Sequence, residues 1–471
     1  MAKMKFLLFG TGDYYERYKK WFNSEDVLAL LDNSPIKQNS LIDGIKVLSP
    51  EEGVKLPFDV IVILSFYVKE MKRQLNDLNI PDDKIYHFYD LHRLIYKKEN
   101  KKAIQYYGDA ERIIKADDSK GKRILLLSQD MTLGGPAIAL FYVAKVLVEQ
   151  GYQILFASML DGPLREKLLD INVPVVVDVN LQIETMEDAD WTSHFSLIFC
   201  NTINFHVFLS KRNVNIPVIW WLHDSEFFYH GIKSEILQSI NTKNLNVCSV
   251  GPVPERAMHN ILPELPIERL LYGVNDSAQG IDKIQRNKGK EKKICFVTIG
   301  YIENRKGQDI LVEAIRLIPS EIRRKAEFYL VGQNSSAFAQ KLIEQIKDIP
   351  EIVIAGTVDR KGIDEILDYA DMMICPSRED PMPTVAAEAM MHGVPCIVSS
   401  VTGTAEYIES GINGYIFPSE DVRYLSEKIK WCIINYDKIY NMGINARLVY
   451  ERIFSVSVFE KKIMELLNSF D

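Results

Sequence analysis

The feature that most constrains this chain is a rhythm. Apolar runs of strand length alternate with amphipathic stretches of helix length through almost the whole sequence: KFLLFG, VLALLD and FDVIVILS, then RILLLSQD, QILFASM, SLIFCNT, VIWWLH and NVCSVG, then KICFVTIG, EFYLVG, EIVIAG, MMICPS and PCIVSS. Several runs are apolar on both faces, as central strands of parallel sheets must be. The pattern predicts an α/β chain of parallel sheets covered by helices. With 471 residues it exceeds one ordinary core, so three lobes are expected.

Two charged, weakly patterned stretches, 97–122 and 275–293, interrupt the rhythm and read as connections, because they carry too little apolar surface for a core. They divide the chain into a first unit (1–98), a linker (99–122), a second unit (123–274), a linker (275–291), a third unit (292–449) and a final amphipathic stretch (450–471).

A net charge of −8 offers no basic footprint for nucleic acid. The six cysteines are far apart, mostly in apolar runs, and read as reduced core thiols of a cytoplasmic protein. The opening apolar run is too short for a signal peptide, and nothing approaches the ~20 apolar residues of a membrane span. The second unit holds ten Lys/Arg against sixteen Asp/Glu, a balance of −6, which disfavours direct docking to anionic lipid through that unit. Peripheral association and a lipid-linked substrate stay open.

The densest chemistry lies in MMICPSREDPMPTVAAEAMMHGVPCIVSS. A buried strand ends at Cys375-Pro376, a polar loop follows, and a helix is expected to start near Pro383 or Thr384 and stop at Gly393. Such a helix aims free N–H groups and a positive dipole end at the mouth of the sheet, where a diphosphate can sit. Glu388, one turn in, can accept from two vicinal ribose hydroxyls; Asp380, ahead of the helix, can hold hydroxyls of a sugar. Taken alone, two such carboxylates are more often a loop acid and a solvated helix residue.

This stretch resembles the nucleotide-sugar signature of family 4 glycosyltransferases. Ser377, Asp380, Glu388, Ala389, Met390, Gly393, Val394 and Pro395 occupy the matching places. The resemblance implies a GT-B fold, two facing Rossmann-like lobes, here with a small N-terminal Rossmann-like domain added. It also implies donor contacts from Met382, Pro383, Thr384 and Val385. Here the first acid of the Glu-x7-Glu pattern is Asp380, and Pro381-Met382-Pro383 replaces the usual Gly-Phe-Gly, so donor preference is expected to be set in this loop.

In KKICFVTIGYIENRKGQDILVEAI, a strand, Gly300 and a loop with Arg305 and Lys306 precede a helix. Fixed cations here would favour the transition state, because leaving-group charge grows as the glycosidic bond breaks. Read alone, the segment is an exposed basic turn. By resemblance Lys306 is the diphosphate lysine; Tyr301 replaces the family's arginine, and Arg305 is expected to take its role. Gly332, Gly356 and Val358 fall where the family's chain borders the nucleotide, and YGVND resembles its crossing segment.

In the second unit, Gly134-Gly135 stands between a strand and an amphipathic helix, allowing close approach of a phosphate or oxyanion. The resemblance places this loop beside donor phosphate and acceptor. His223 and Asp224 end an apolar strand. A lone histidine is more often packed than catalytic, but the resemblance puts His223 beside the donor sugar, with Glu226 less clearly placed. Trp220 and Trp221 offer a stacking platform or core. DAD at 188–190 lacks an apolar strand before it and reads as surface charge, so neither a metal nor a cofactor is expected.

The first unit opens as strand, glycine turn, helix and strand, with Asp32 twenty residues after Gly12. Tyr15 replaces the third glycine of a dinucleotide fingerprint, and nucleotide binding, a structural role and partner binding all stay open. The expected function is retaining transfer from a nucleotide-diphosphate sugar to a glycan, lipid-linked or protein acceptor in surface polysaccharide or glycoconjugate synthesis. Asp380, Lys306, Arg305 and His223 would carry the chemistry. The rivals are a non-catalytic partner or glycan-binding protein and a nucleotide-sugar epimerase of the same fold.

Overall fold

The computed structural model describes residues 4–65, 67–95, 101–115, 123–278 and 293–470. Three sheets follow one another along the chain. The first runs, in spatial order, Leu41–Ile42, Ile45–Leu48, Val27–Leu31, Phe6–Phe9, Val60–Ile63, Ile85–His87, parallel except for the short outer strand. The second runs Ile267–Arg269, Leu245–Ser249, Val218–Leu222, Leu197–Asn201, Arg123–Ser128, Gln153–Ser158, Val175–Val177, Gln105–Tyr107. The third runs Ile352–Gly356, Ala326–Val331, Ile294–Ile299, Met372–Cys375, Cys396–Ser399, Gly414–Phe417, and all its pairs are parallel.

In each sheet the order doubles back beside the first long strand, so each has a switch point where neighbouring loops diverge and leave a crevice at the carboxyl edge. The central strands Arg123–Ser128 and Ile294–Ile299 are buried at every residue, which is why their sequence lacks alternation.

The stretch read as a linker at 99–122 differs from that expectation. Gln105–Tyr107 pairs antiparallel with Val175–Val177, and Ala110–Lys115 is a helix with Ala110 and Ile114 buried. A three-residue strand has almost no periodicity to read; it forms because the second sheet's open edge supplies the backbone partners. Residues 99–100, 116–122 and 279–291 of the two linkers lie outside the described residues.

The final helix, Val456–Asn468, packs back on the second unit. Phe459 stacks on Trp221 at 6.0 Å, a Cβ on Gly273 would meet Phe459 at 2.8 Å, and Asn246 Nδ2 donates to Ser469 Oγ at 3.0 Å. The first unit is also docked on the second: Tyr89 Oη donates to Asn204 Oδ1 at 3.0 Å, and its ring meets His206 edge-on at 5.0 Å.

Candidate active site

The switch point of the third sheet lies between Ile294–Ile299 and Met372–Cys375. The loop after the first strand carries Lys306, the loop after the second Asp380, and Lys306 Nζ donates to Asp380 Oδ2 at 2.5 Å. Both side chains are largely buried, 18% and 8% exposed. Gly300 leaves room for the lysine, whose Cε lies 3.7 Å from where a Cβ would stand. Gly307, at φ +68°, closes the Asn304–Lys306 turn so tightly that a Cβ would sit 2.1 Å from the Pro376 carbonyl oxygen.

Arg378 fastens the two loops together. Its guanidinium grips both oxygens of Asp309, at 2.9 and 2.8 Å, and donates to Glu420 and to the Asn304 carbonyl, while its backbone N–H donates to the Arg305 carbonyl at 2.8 Å. Arg305 turns toward Glu303 (2.9 Å) and the Glu379 carbonyl oxygen (3.2 Å), so it braces the acidic loop. It points at protein acceptors, whereas Lys306 meets a sequence-predicted site residue.

The helix begins at Thr384 with Pro383 as its N-cap and ends at Met391, followed by Gly393 at φ +65°. Thr384 and Val385 occupy its first turn and are half-buried. Glu388 is not bare: Arg360, at the start of helix Arg360–Tyr369, donates to Glu388 Oε1. Tyr142, from helix Gly135–Glu149 of the other lobe, is close enough to feel both charges, and burial holds its hydroxyl above the usual range. Gly332 and Gly356 have φ of +148° and +70° at the carboxyl ends of their strands, and Val358 is half-buried before Arg360.

Asp380-Pro-Met-Pro383 also joins the lobes. The Pro381 carbonyl lies against Gly403 of the third unit and Gly251 of the second. Met382 is buried, its carbonyl accepting from Tyr272 Oη at 3.2 Å and its methyl seated by Gly403. Glu379 Oε1 accepts the Glu226 backbone N–H at 2.5 Å, and Arg269 bridges Glu255 and Glu406. The site is thus a cleft between carboxyl edges of facing sheets.

On the acceptor side, His223 follows strand Val218–Leu222 with its ring 4.3 Å from that of Trp221. Its Nε2 is buried with no hydrogen-bond partner, and burial lowers its pKa to about 3, so it is a neutral imidazole. Asp224 accepts the Ile203 N–H at 2.6 Å, and burial pushes its carboxyl up to about 7. Thr202, a β-branched residue at φ +75°, ends the strand Leu197–Asn201, and such strain clusters at functional edges. Gly134 and Gly135 are exposed at the start of helix Gly135–Glu149, and Gly134 N–H turns to Thr132 Oγ1 at 3.3 Å.

Trp220 and Trp221 offer no stacking surface: both are buried, with their indole N–H groups donated to the carbonyls of Thr202 and Leu270. Among the described residues no group of three or more His, Cys, Asp or Glu is placed to hold a metal. In the first unit, Asp32 is already engaged by Thr11, Lys37 and the Ser34 N–H, and helix Asp13–Tyr18 carries Asp13 and Glu16 in its first turn, which opposes a pyrophosphate there. Sequence reasoning did not single out Arg360, Arg378, Glu379 or Gly251. Arg360 sits in an ordinary charged helix start and Gly251 in an ordinary turn, so only the tertiary contact distinguishes them.

The chain matches three families: residues 280–449 the "Glycosyl transferases group 1" family, residues 120–249 the "Glycosyl-transferase family 4" family, and residues 2–86 "C2185-like, N-terminal". Curated relatives include a protein of the cps region of Klebsiella pneumoniae (26% identity; 32% of this chain, 40% of the relative) and an uncharacterised glycosyltransferase of Methanocaldococcus jannaschii (27%; 42% and 50%). Another is the Escherichia coli lipopolysaccharide glucosyltransferase WaaG (27%; 26% and 33%). The matched stretch therefore spans a third to a half of these relatives. Among solved structures, Anabaena HepE in complex with UDP and glucose superposes with a TM-score of 0.61 at 20% identity, over 74% of this chain and 100% of that one. Crystalline WaaG superposes with a TM-score of 0.55 at 16% identity, over 72% and 98%. Residues 120–249 and 280–449 thus match the family 4 and group 1 glycosyltransferase families in order, on a GT-B fold that carries an additional N-terminal domain.

Proposed function

We propose that the chain transfers a sugar from a nucleotide-diphosphate sugar to a glycan, lipid-linked or protein acceptor in surface polysaccharide or glycoconjugate synthesis, with retention at the anomeric carbon. The observation that carries this reading is the meeting of Lys306 and Asp380 at the switch point of the donor sheet, ahead of helix Thr384–Met391. In the free protein each neutralises the other. A donor separates them: Lys306 turns to the diphosphate, the freed carboxylate of Asp380 takes hydroxyls of the sugar, and Glu388 holds the ribose.

As the bond to the diphosphate breaks, charge grows on the leaving oxygen beside a fixed ammonium and a helix N-terminus, so the stabilisation is larger in the transition state than in the ground state. Arg305 and Arg378 keep the lysine turn in place. His223, neutral at working pH, can hydrogen-bond a sugar or acceptor hydroxyl without bringing charge. Attack from the face the diphosphate leaves fits a site in which the Asp380 carboxylate, once freed from Lys306, is engaged by sugar hydroxyls and so poorly disposed to act as a covalent nucleophile. No helix among the described residues is long and apolar enough to cross a membrane, and the six thiols are free and buried, which supports a cytoplasmic reading.

A panel of nucleotide sugars, read by thermal shift and by nucleotide release, tests the assignment with the parent chain and Glu388→Ala. Stabilisation of the parent by at least one donor, lost in the variant, is expected. Stabilisation of neither removes the donor site; donor conversion without any acceptor identifies an epimerase instead.

A further inference from the structure

The switch point of the acceptor sheet lies between Arg123–Ser128 and Leu197–Asn201, and the first unit covers it. There a narrow crevice is lined by Gln129, Gln182 and Asn204 of the acceptor lobe and by Arg17, Tyr18 and Tyr89 of the first unit. Both amide atoms of Gln182, Nε2 and Oε1, are buried without a hydrogen-bond partner. An unsatisfied buried amide costs free energy, so a site that retains one is suited to a polar ligand.

Arg17 lines the crevice, and two further cations stand near it. Arg17 lies over the Tyr14 ring at 5.4 Å, Lys102 over the Trp21 ring at 5.9 Å, and neither pairs with a carboxylate among the described residues. Burial and the like charges of Arg17 and Lys102 hold Lys20 below the usual lysine range. These cations stand against a second unit whose own balance is −6.

The crevice is also wired to the candidate active site. Tyr89 Oη donates to Asn204 Oδ1, Asn204 Nδ2 to Gln129 Oε1, and Gln129 Nε2 to Asp130 Oδ2 at 3.1 Å. Asp130 Oδ1 accepts from Thr132 Oγ1 at 2.7 Å, and Thr132 Oγ1 accepts the Gly134 N–H. A ligand in the crevice therefore acts on the loop that opens helix Gly135–Glu149.

Resting on the glycosyltransferase reading, we propose that this crevice is an acceptor subsite for a sugar bearing an anionic group, a carboxylate or a phosphate. The first unit supplies Arg17 as its charge partner and the acceptor lobe supplies Gln182 as its hydrogen-bond partner. The space between the side chains, about 10 Å³, admits a water-sized group. One charged oxygen therefore enters, while the rest of the anionic group and the sugar ring stay outside toward the cleft. The N-terminal domain thereby gives an acidic acceptor lobe the positive charge it lacks.

Glucuronic acid, glucose 6-phosphate and glucose are titrated into the full chain, with UDP titrated in the same samples. At least one of the two anionic sugars is expected to bind tenfold or more tightly than glucose, and the tighter of the two identifies the anionic group. Arg17→Gln and Gln182→Leu are each expected to weaken that binding fivefold or more. Gln182→Leu removes an unsatisfied amide and is expected to keep its melting temperature, which separates lost binding from lost folding. Equal affinity for glucose, or full affinity in both variants, overturns the inference. So does Arg17-dependent binding to phosphatidylglycerol vesicles by a chain that ignores the anionic sugars. Anionic-sugar preference without UDP binding leaves the inference standing and removes the donor reading; UDP binding without that preference does the reverse.

Discussion

Gly251 of the second unit and Gly403 of the third face the same atom, the Pro381 carbonyl oxygen, which would lie 2.4 Å and 1.9 Å from a Cβ at the two positions. Neither glycine has a φ that demands the residue; both are required by closeness alone. The carbonyl is backbone, so it moves only by moving the loop that carries Asp380. Gly251→Ala and Gly403→Ala are each expected to lower stability by about 1–3 kcal/mol and to lose transfer more than tenfold while circular dichroism stays that of the parent. Unchanged kcat in both variants would detach the loop's position from the chemistry.

The Lys306–Asp380 pair makes a second expectation. Removing the lysine leaves a carboxylate only 8% exposed without its cation, and breaking a buried pair one partner at a time costs about 3–5 kcal/mol. Lys306→Ala should therefore melt lower than the parent. Lys306→Ala/Asp380→Ala, with no charge left behind, should recover part of the loss. Transfer behaves differently: a fixed donor at the leaving group is worth about a hundredfold to a thousandfold, so both variants should lose kcat by that order. Melting curves and saturating-donor kinetics on the three chains check both halves.

Adjacent residues at the acceptor edge titrate in opposite senses. Burial raises Asp224 from 3.8 to about 7, so its stabilisation is complete below pH 3.8 and is lost as pH rises through 7. Burial lowers His223 from 6.5 to about 3, so its stabilisation is complete above pH 6.5 and is lost as pH falls through 3. Between those limits the two offset each other. Asp224→Asn leaves the histidine alone, and relative to the parent its stability should fall on acidification from pH 7 to 4.5. His223→Gln leaves the aspartate, and its relative stability should fall on going from pH 4.5 to 7. Urea midpoints at the two pH values, differing by more than about 1 kcal/mol in opposite directions, are the expected result.

Sheet number, strand runs and the start of helix Thr384–Met391 were legible because they rest on local signals: continuous apolar runs, a proline at the helix entrance and a glycine at its exit. The short strand Gln105–Tyr107 was not, since its stability comes from the edge it pairs with. The same division runs through the site. Lys306 and Asp380 could be named from motif and spacing, but that they bond each other depends on Gly307 pressing the lysine turn onto Pro376. The positive φ of Thr202 and the bare amide of Gln182 leave no trace in composition or period, because both are imposed by packing from outside their own segments.

Glu388 presents the sharpest remaining question, since Arg360 already holds its Oε1. If the carboxylate binds ribose directly, its other oxygen does so, and the arginine only orients it. Glu388→Ala should then weaken UDP binding at least tenfold whether Arg360 is present or replaced by alanine, because the lost bonds are the same in both backgrounds. If instead Arg360 is the group that meets the nucleotide and Glu388 its support, the loss should largely vanish in the Arg360→Ala background, since the supported group is already gone. The geometry favours the first outcome: Arg360 is half exposed at a helix start and also reaches Asp364 at 3.4 Å, whereas Glu388 is 12% exposed on the helix that opens at Thr384. Titration calorimetry of UDP into the parent, both single variants and the double variant closes the cycle. Residues in contact couple by about 0.5–3 kcal/mol, so the expected result is a Glu388→Ala loss that exceeds the coupling and survives in the Arg360→Ala background.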